Sequence, residues 1–119
     1  MRINRYKGQP LPFTISFSGN PLSPYGKDYA DIQDVSINFK KDKSLDADNK
    51  YLEHLKSRGE VLVDVAANSF TFVPKDGDYN NMSEGEYYIV LAVKVNGFTD
   101  MLELSDNHIL NITKDSQRK

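Results

Sequence analysis

Apolar and polar residues alternate with a period of two along much of this chain, the pattern of strands that bury one face. In "LPFTISFSG" Phe13, Ile15 and Phe17 face one way while Thr14 and Ser16 face the other. "DVSINFKK" sets Val35, Ile37 and Phe39 against Ser36, Asn38 and Lys40. "EVLVDVA" aligns Val61, Val63 and Val65, and "NSFTFVP" aligns Phe70 and Phe72. Shorter strands are expected at "NHILNIT", through Leu110 and Ile112, and over 101–104. Turn chemistry separates the runs, with Gly19-Asn20-Pro21 after the first and Asp76-Gly77-Asp78 after Pro74. Asn96-Gly97 predicts a type I′ hairpin that folds 87–95 back antiparallel onto 98–104. Only "NKYLEHLKSRG" reads as helical: Tyr51, Leu52 and Leu55 share a face and Gly59 is placed to cap one or two turns.

Roughly six to eight short strands with turn signals about every ten residues predict an all-β fold. The expected architecture is an Ig-like antiparallel β-sandwich of about seven strands, with one short helix in a crossover. A chain of 119 residues is long enough for one domain and too short for two ordinary ones. Residues 1–113 are expected to form the sandwich, and 114–119 ("KDSQRK") a polar tail.

The run "EYYIVLAVKV" breaks the alternation. Tyr87, Ile89, Leu91, Val93 and Val95 form one face and should point into the sandwich. Tyr88, Val90 and Ala92 form the other, and an antiparallel sheet normally leaves that face wet and polar. Something should therefore cover it: either a long loop of the chain itself, 18–31 or 41–58, or another subunit. The candidate partner-contact residues are Tyr88 and Val90, with Phe98 and Met101 from the paired strand.

Composition narrows the function classes. Formal net charge is −2, so no overall positive field exists to hold nucleic acid. Lys40, Lys41 and Lys43 cluster, but Asp42, Asp46 and Asp48 lie among them, which describes a solvated loop. Cysteine is absent, which excludes disulfides and thiolate zinc sites. "MRINRYKGQP" carries positive charge without the apolar stretch of a secretory signal. No apolar run approaches the ~20 residues of a membrane helix. A soluble protein made in the cytoplasm, with no membrane partner, is expected.

No catalytic constellation emerges. The two histidines are His54 and His108, and Ser105-Asp106-Asn107-His108 holds the residue types of a triad. Triads converge from separated segments, and neighbours along one turn do not present that geometry. The 42–53 stretch places carboxylates or hydroxyls where a calcium loop wants them, but Ala47 stands where the sharp turn needs glycine. The acidic "KDGDYNN" loop reads as solvated too. Asn81-Met82-Ser83 and Asn111-Ile112-Thr113 match the glycosylation sequon, which carries no meaning without a secretion signal, and no phosphate-binding glycine motif or H-E-x-x-H occurs. Tyr25, Tyr29 and Tyr79 fall in predicted loops, either as binding residues or as lids on the sandwich ends. The expectation is a non-enzyme with no cofactor, no metal and no small-molecule substrate.

From 6 to 113 the order of elements resembles small Ig-like domains of bacteriophage particles, found in upper-baseplate and other tail or neck proteins. The resemblance runs through "YKGQPLPFTISFSG", "SGNPLSPYG", "DVSINFKK" and "RGEVLVDVAANSFTFVP", and is closest in "MSEGEYYIVLAVKVNGFTDMLELSDNHILNIT" with its glycine-before-tyrosine strand. Gln9, where an acidic residue is common, and the long 18–31 loop depart from the pattern. The resemblance implies a structural role in a virion (tail, neck or capsid-associated), made in the host cytoplasm. Its partners would be other virion proteins in a symmetric multi-copy assembly. A free carbohydrate- or peptide-binding β-sandwich module is the rival reading, although a glycan platform usually offers tryptophan and this chain has none.

Overall fold

In the computed structural model, which describes residues 2–41, 53–104 and 108–114, the alternating segments form two packed sheets. The strands are β1 (Arg2–Tyr6), β2 (Phe13–Ser16), β3 (Ile32–Lys40), β4 (Glu53–Leu55) and β5 (Val61–Asp64). Then come β6 (Ser69–Phe72), β7 (Gly85–Val95), β8 (Leu102–Glu103) and β9 (Ile109–Thr113). The larger sheet runs β1-β9-β7-β3-β4, with β8 also on β7, and the smaller runs β2-β6-β5. Every pairing is antiparallel except β1 with β9. This is the strand order of an Ig-like sandwich. The strands β2, β6 and β5 stand as B, E and D, β3, β7 and β9 as C, F and G, and β4 extends the second sheet beyond C.

Alternation translates directly into burial. Tyr87, Ile89, Leu91, Val93 and Val95 are all buried along β7, and Val35, Ile37 and Phe39 along β3. Phe13 and Phe72 of the small sheet meet Phe39 of the large one, with ring centroids 6.2 Å and 5.3 Å from it. These rings clamp the sheets together where an antibody domain would use a disulfide.

Tyr87 builds the corner that starts β7. Its hydroxyl donates to the Ser83 carbonyl at 3.0 Å and lies 2.9 Å from the Ser83 hydroxyl. A tyrosine at the start of strand F that bonds a few residues upstream is the tyrosine corner of Ig sandwiches. Two residues on, where antibody domains place a cysteine, stands Ile89. Gly85 supplies a φ of 127°, and a Cβ there would lie 2.7 Å from the Lys41 ammonium. That ammonium sits 4.3 Å from the centre of the Tyr87 ring.

Several sequence expectations are corrected. The segment 53–59 is strand β4 followed by the 3-10 turn Lys56–Arg58, and no α-helix forms there. Residues 49–52 of the predicted helix lie outside the described residues. Pairing with β3 and burial of His54 between Phe39 and Phe72 outweigh a weak helical pattern, which one short amphipathic turn cannot hold alone. Gly59 does cap the turn, with φ of 78°.

At 96–97 the Phe98 N–H donates to the Val95 carbonyl at 3.0 Å. Gly97 has φ of 91° while Asn96 keeps a negative φ, so the turn follows the type II pattern instead of type I′. The return strand is correspondingly late and short: Leu102 pairs Val93 and Glu103 pairs Ala92. Val65 leaves the strand pattern for the turn into β6, where Asn68 takes φ of 52°. Finally, β1 was not expected, because charges flank Ile3. That residue is buried, and β1 lies parallel on β9.

Candidate interaction surface

The outward face of the large sheet follows from the register. Along β7 it carries Glu86, Tyr88, Val90, Ala92 and Lys94. Across the β3 boundary these meet Lys40 opposite Tyr88, Asn38 opposite Val90, Ser36 opposite Ala92 and Asp34 opposite Lys94. On the other side Ile109 pairs Tyr88, Asn111 pairs Glu86, and Glu103 pairs Ala92. The β3 row of the outer face is therefore polar or charged, while an apolar stripe runs down the central strand and is joined by Ile109 on β9 and by Leu55, opposite Ser36, on β4. Tyr88 keeps 37% of its surface accessible, while Val90, Ala92 and Ile109 are half-buried.

The four predicted contact residues do not form one patch. Tyr88 and Val90 are neighbours on the outer face near the start of β7. Phe98 follows the far end of that strand, and at ~3.3 Å per residue the run from Tyr88 to Val95 alone spans about 23 Å. Phe98 packs edge-on against Tyr25 with ring centroids 5.7 Å apart, so the 18–31 loop covers it. Met101 is exposed just before β8, at the same far end. The 18–31 loop thus reaches Phe98 at that far end and Tyr88 stays partly accessible, while most of the 41–58 loop, the other cover expected for this face, lies outside the described residues.

Beside Tyr88 a half-open cleft of about 100 Å³ is lined by Lys41, Glu86, Tyr87, Tyr88 and Ile109. Glu86 is engaged by Arg2 at 2.6 Å, and the Lys41 ammonium donates to the Glu84 carbonyl at 3.2 Å. Charged groups of both signs therefore rim an apolar floor, which suits a protein surface better than a single small anion.

The other sequence candidates resolve mostly into architecture. Tyr29 and Tyr79 are buried lids whose hydroxyls donate to the Asn68 and Leu11 carbonyls at 3.2 Å and 2.8 Å. Burial pushes the Tyr29 phenol up to about 12, and that of Tyr79 further in the same direction. Tyr25 alone of the three is exposed. In "KDGDYNN" the Asp78 carboxylate accepts the Lys75 N–H at 2.7 Å, closing its own turn. The Asp42–Asp48 stretch and Ser105-Asp106-Asn107 lie outside the described residues. His108 is buried, with its carbonyl accepting the Ile89 N–H. Among the described residues no three His, Asp or Glu side chains gather where a metal could be held, and no helix is long and apolar enough to cross a membrane.

One cluster escaped the sequence reading. Glu60 is buried, accepts the Leu55 N–H at 2.9 Å, and lies 3.2 Å from Arg58, 3.4 Å from Lys75 and 3.5 Å from His54. Burial raises its pKa, but the Leu55 N–H together with His54 and Arg58 outweigh that and hold it below the ordinary value. A glutamate directly after Gly59 at the head of an apolar strand was the available signal. The cluster ties the crossover to β5 and is a fastening, since Glu60 is spent on its partners.

Comparison with family models, with curated proteins and with solved structures returns no match.

Proposed function

We propose that this chain is a structural, non-catalytic component of a bacteriophage particle, acting by docking onto other virion proteins. The observation that carries the reading is the apolar stripe Tyr88-Val90-Ala92, joined by Ile109 beside Tyr88, on a sheet face whose β3 row is polar. A face that met only water would carry Thr, Ser, Lys or Glu at those positions. The resemblance of the glycine-before-tyrosine strand to virion Ig-like domains supplies the setting, and the sandwich supplies a rigid platform.

The test is the double substitution Tyr88→Thr with Val90→Thr. The isolated domain should melt within a few degrees of the parent, since Tyr88 already contacts solvent. Co-sedimentation of the tagged chain with phage particles should fall sharply. A double variant that unfolds as a monomer would show that the face is core covered from within, and undiminished co-sedimentation would place the docking surface elsewhere. Retention on a glycan or peptide array that Tyr88→Thr and Val90→Thr abolish, without any particle association, would favour a free binding module.

A further inference from the structure

Two sheets leave four edges, and three of them are protected. The outer strand β1 carries Arg2 and Arg5, and Arg5 reaches the Leu11 and Pro12 carbonyls. The approach to β2 contains Pro10 and Pro12, which cannot donate to a ladder. β4 is three residues long and begins at a charged glutamate. Short length, charge and proline are the usual devices that keep edges from pairing.

β5 has little of this protection. It reads Val-Leu-Val-Asp, and Leu62 and the following Val65 are 57% and 52% exposed. Its single charge, Asp64, is turned to local use, accepting the Ala67 N–H at 3.1 Å. The Val73 N–H donates to the Glu60 carbonyl at 2.8 Å. The Glu60 carbonyl and the N–H and C=O groups of Leu62 and Asp64 therefore point at β6, those of Val61 and Val63 point away, and the Glu60 N–H donates to the Leu55 carbonyl at 3.1 Å. Among the described residues no strand pairs with that side.

We infer that β5 is a self-association edge, pairing antiparallel with β5 of a second copy so that two β2-β6-β5 sheets become continuous. A two-fold axis at Val63 sets Val63 opposite Val63, matching the outward-facing groups of both copies, and Leu62 opposite Asp64. Charge favours this occupant. One end of the edge carries Asp64 and the other carries Arg58 and Lys75 around the single carboxylate of Glu60. Antiparallel pairing brings each Asp64 toward the basic end of the other copy, whereas parallel pairing would set like ends together. The axis makes the contact isologous and closed, giving a dimer and not a fibre. So short an edge buries little area, so the dimer is weak in dilute solution and gains from the high local concentration within an assembly.

Sedimentation equilibrium from micromolar to millimolar protein tests this. The parent should dimerise, and Val63→Pro should weaken the dimer about tenfold or more by removing the outward N–H of both copies while sparing the β6 ladder. Should Val63→Pro fail to fold, Leu62→Lys provides the same readout at an exposed side chain. Because the chain has no cysteine, Val63→Cys gives an independent measure. It should oxidise to a covalent dimer in the parent background, and Thr14→Cys on the opposite edge strand should not. A parent that stays monomeric at millimolar concentration overturns the inference, as does a dimer indifferent to these substitutions with no Val63→Cys cross-link. β5 lies on the other sheet from Tyr88, so either proposal can fail without the other.

Discussion

Replacing Glu60 by glutamine isolates the charge of the buried carboxylate at nearly constant volume. The amide oxygen can still accept the Leu55 N–H, so that bond changes from charge-assisted to neutral, a loss of about 1 kcal/mol. The pairs with Arg58 and Lys75 join a buried carboxylate to cations whose side chains are 48% and 63% exposed. Solvent screens both, so ~0.5–1 kcal/mol each is appropriate, well short of the cost of a fully buried pair. The sum is about 2–3 kcal/mol, or roughly 8–12 °C in Tm for a domain of this size.

The sign with pH follows from linkage. The folded-state pKa of Glu60 is lowered, so its stabilisation is present above the ordinary carboxylate value of 4.5 and is lost as pH falls through the folded value. Thermal unfolding of parent and Glu60→Gln from pH 7 down to pH 3 should show two curves that converge below about pH 4.5. Equal melting temperatures at pH 7 would refute the reasoning, and so would a gap that persists unchanged into acid.

Gly97→Val should cost on the order of 1–2 kcal/mol by forcing a β-branched residue to a φ of 91°, read from the urea midpoint. Tyr87→Phe removes the hydroxyl that bonds Ser83 and should lower stability by ~1 kcal/mol in chemical denaturation, with near-UV circular dichroism otherwise preserved. Millimolar calcium should leave the melting temperature unchanged, because Ala47 stands where a calcium loop needs glycine. An upward shift with calcium would reverse that expectation.

The sandwich was legible because its strongest signal, period-two alternation, is also what the core uses. Ile15, Phe39, Phe70, Phe72 and Leu110 were all identified by spacing alone and all are fully buried. Errors occurred where a tertiary partner decides the outcome. Glu53–Leu55 carries helical spacing but is held by three cross-strand pairs with β3. Asn96-Gly97 fits more than one turn type, and the choice is set by where β8 can reach β7, which no local pattern encodes. β1 was invisible because only Ile3 is buried, so its strand character comes from β9. The candidate surface was half legible: alternation exposed the anomaly at Tyr88 and Val90. It could not show that the hairpin loop carries Phe98 to the far end of β7.

The absence of cysteine and tryptophan gives these observations a common physical basis. An antibody-type sandwich is pinned by a B–F disulfide packed on a tryptophan, a link typically worth about 2–5 kcal/mol in a small secreted domain. Here Ile89 and the inward residues of β2 take those positions, and an aromatic network spans the sheets instead. Phe13 contacts Phe39 and Phe72, Phe72 contacts Phe39, and Tyr79 and His54 pack on Phe72 from the loop and the crossover. Truncating one such ring typically costs about 3–5 kcal/mol, which matches the disulfide it replaces. A pin made of rings is indifferent to redox state, so the domain can fold in a reducing compartment and keep its shape outside it. It also localises cohesion between the sheets. Docking on the outer face of β7, or pairing along β5, therefore need not disturb the contacts that keep the two sheets together.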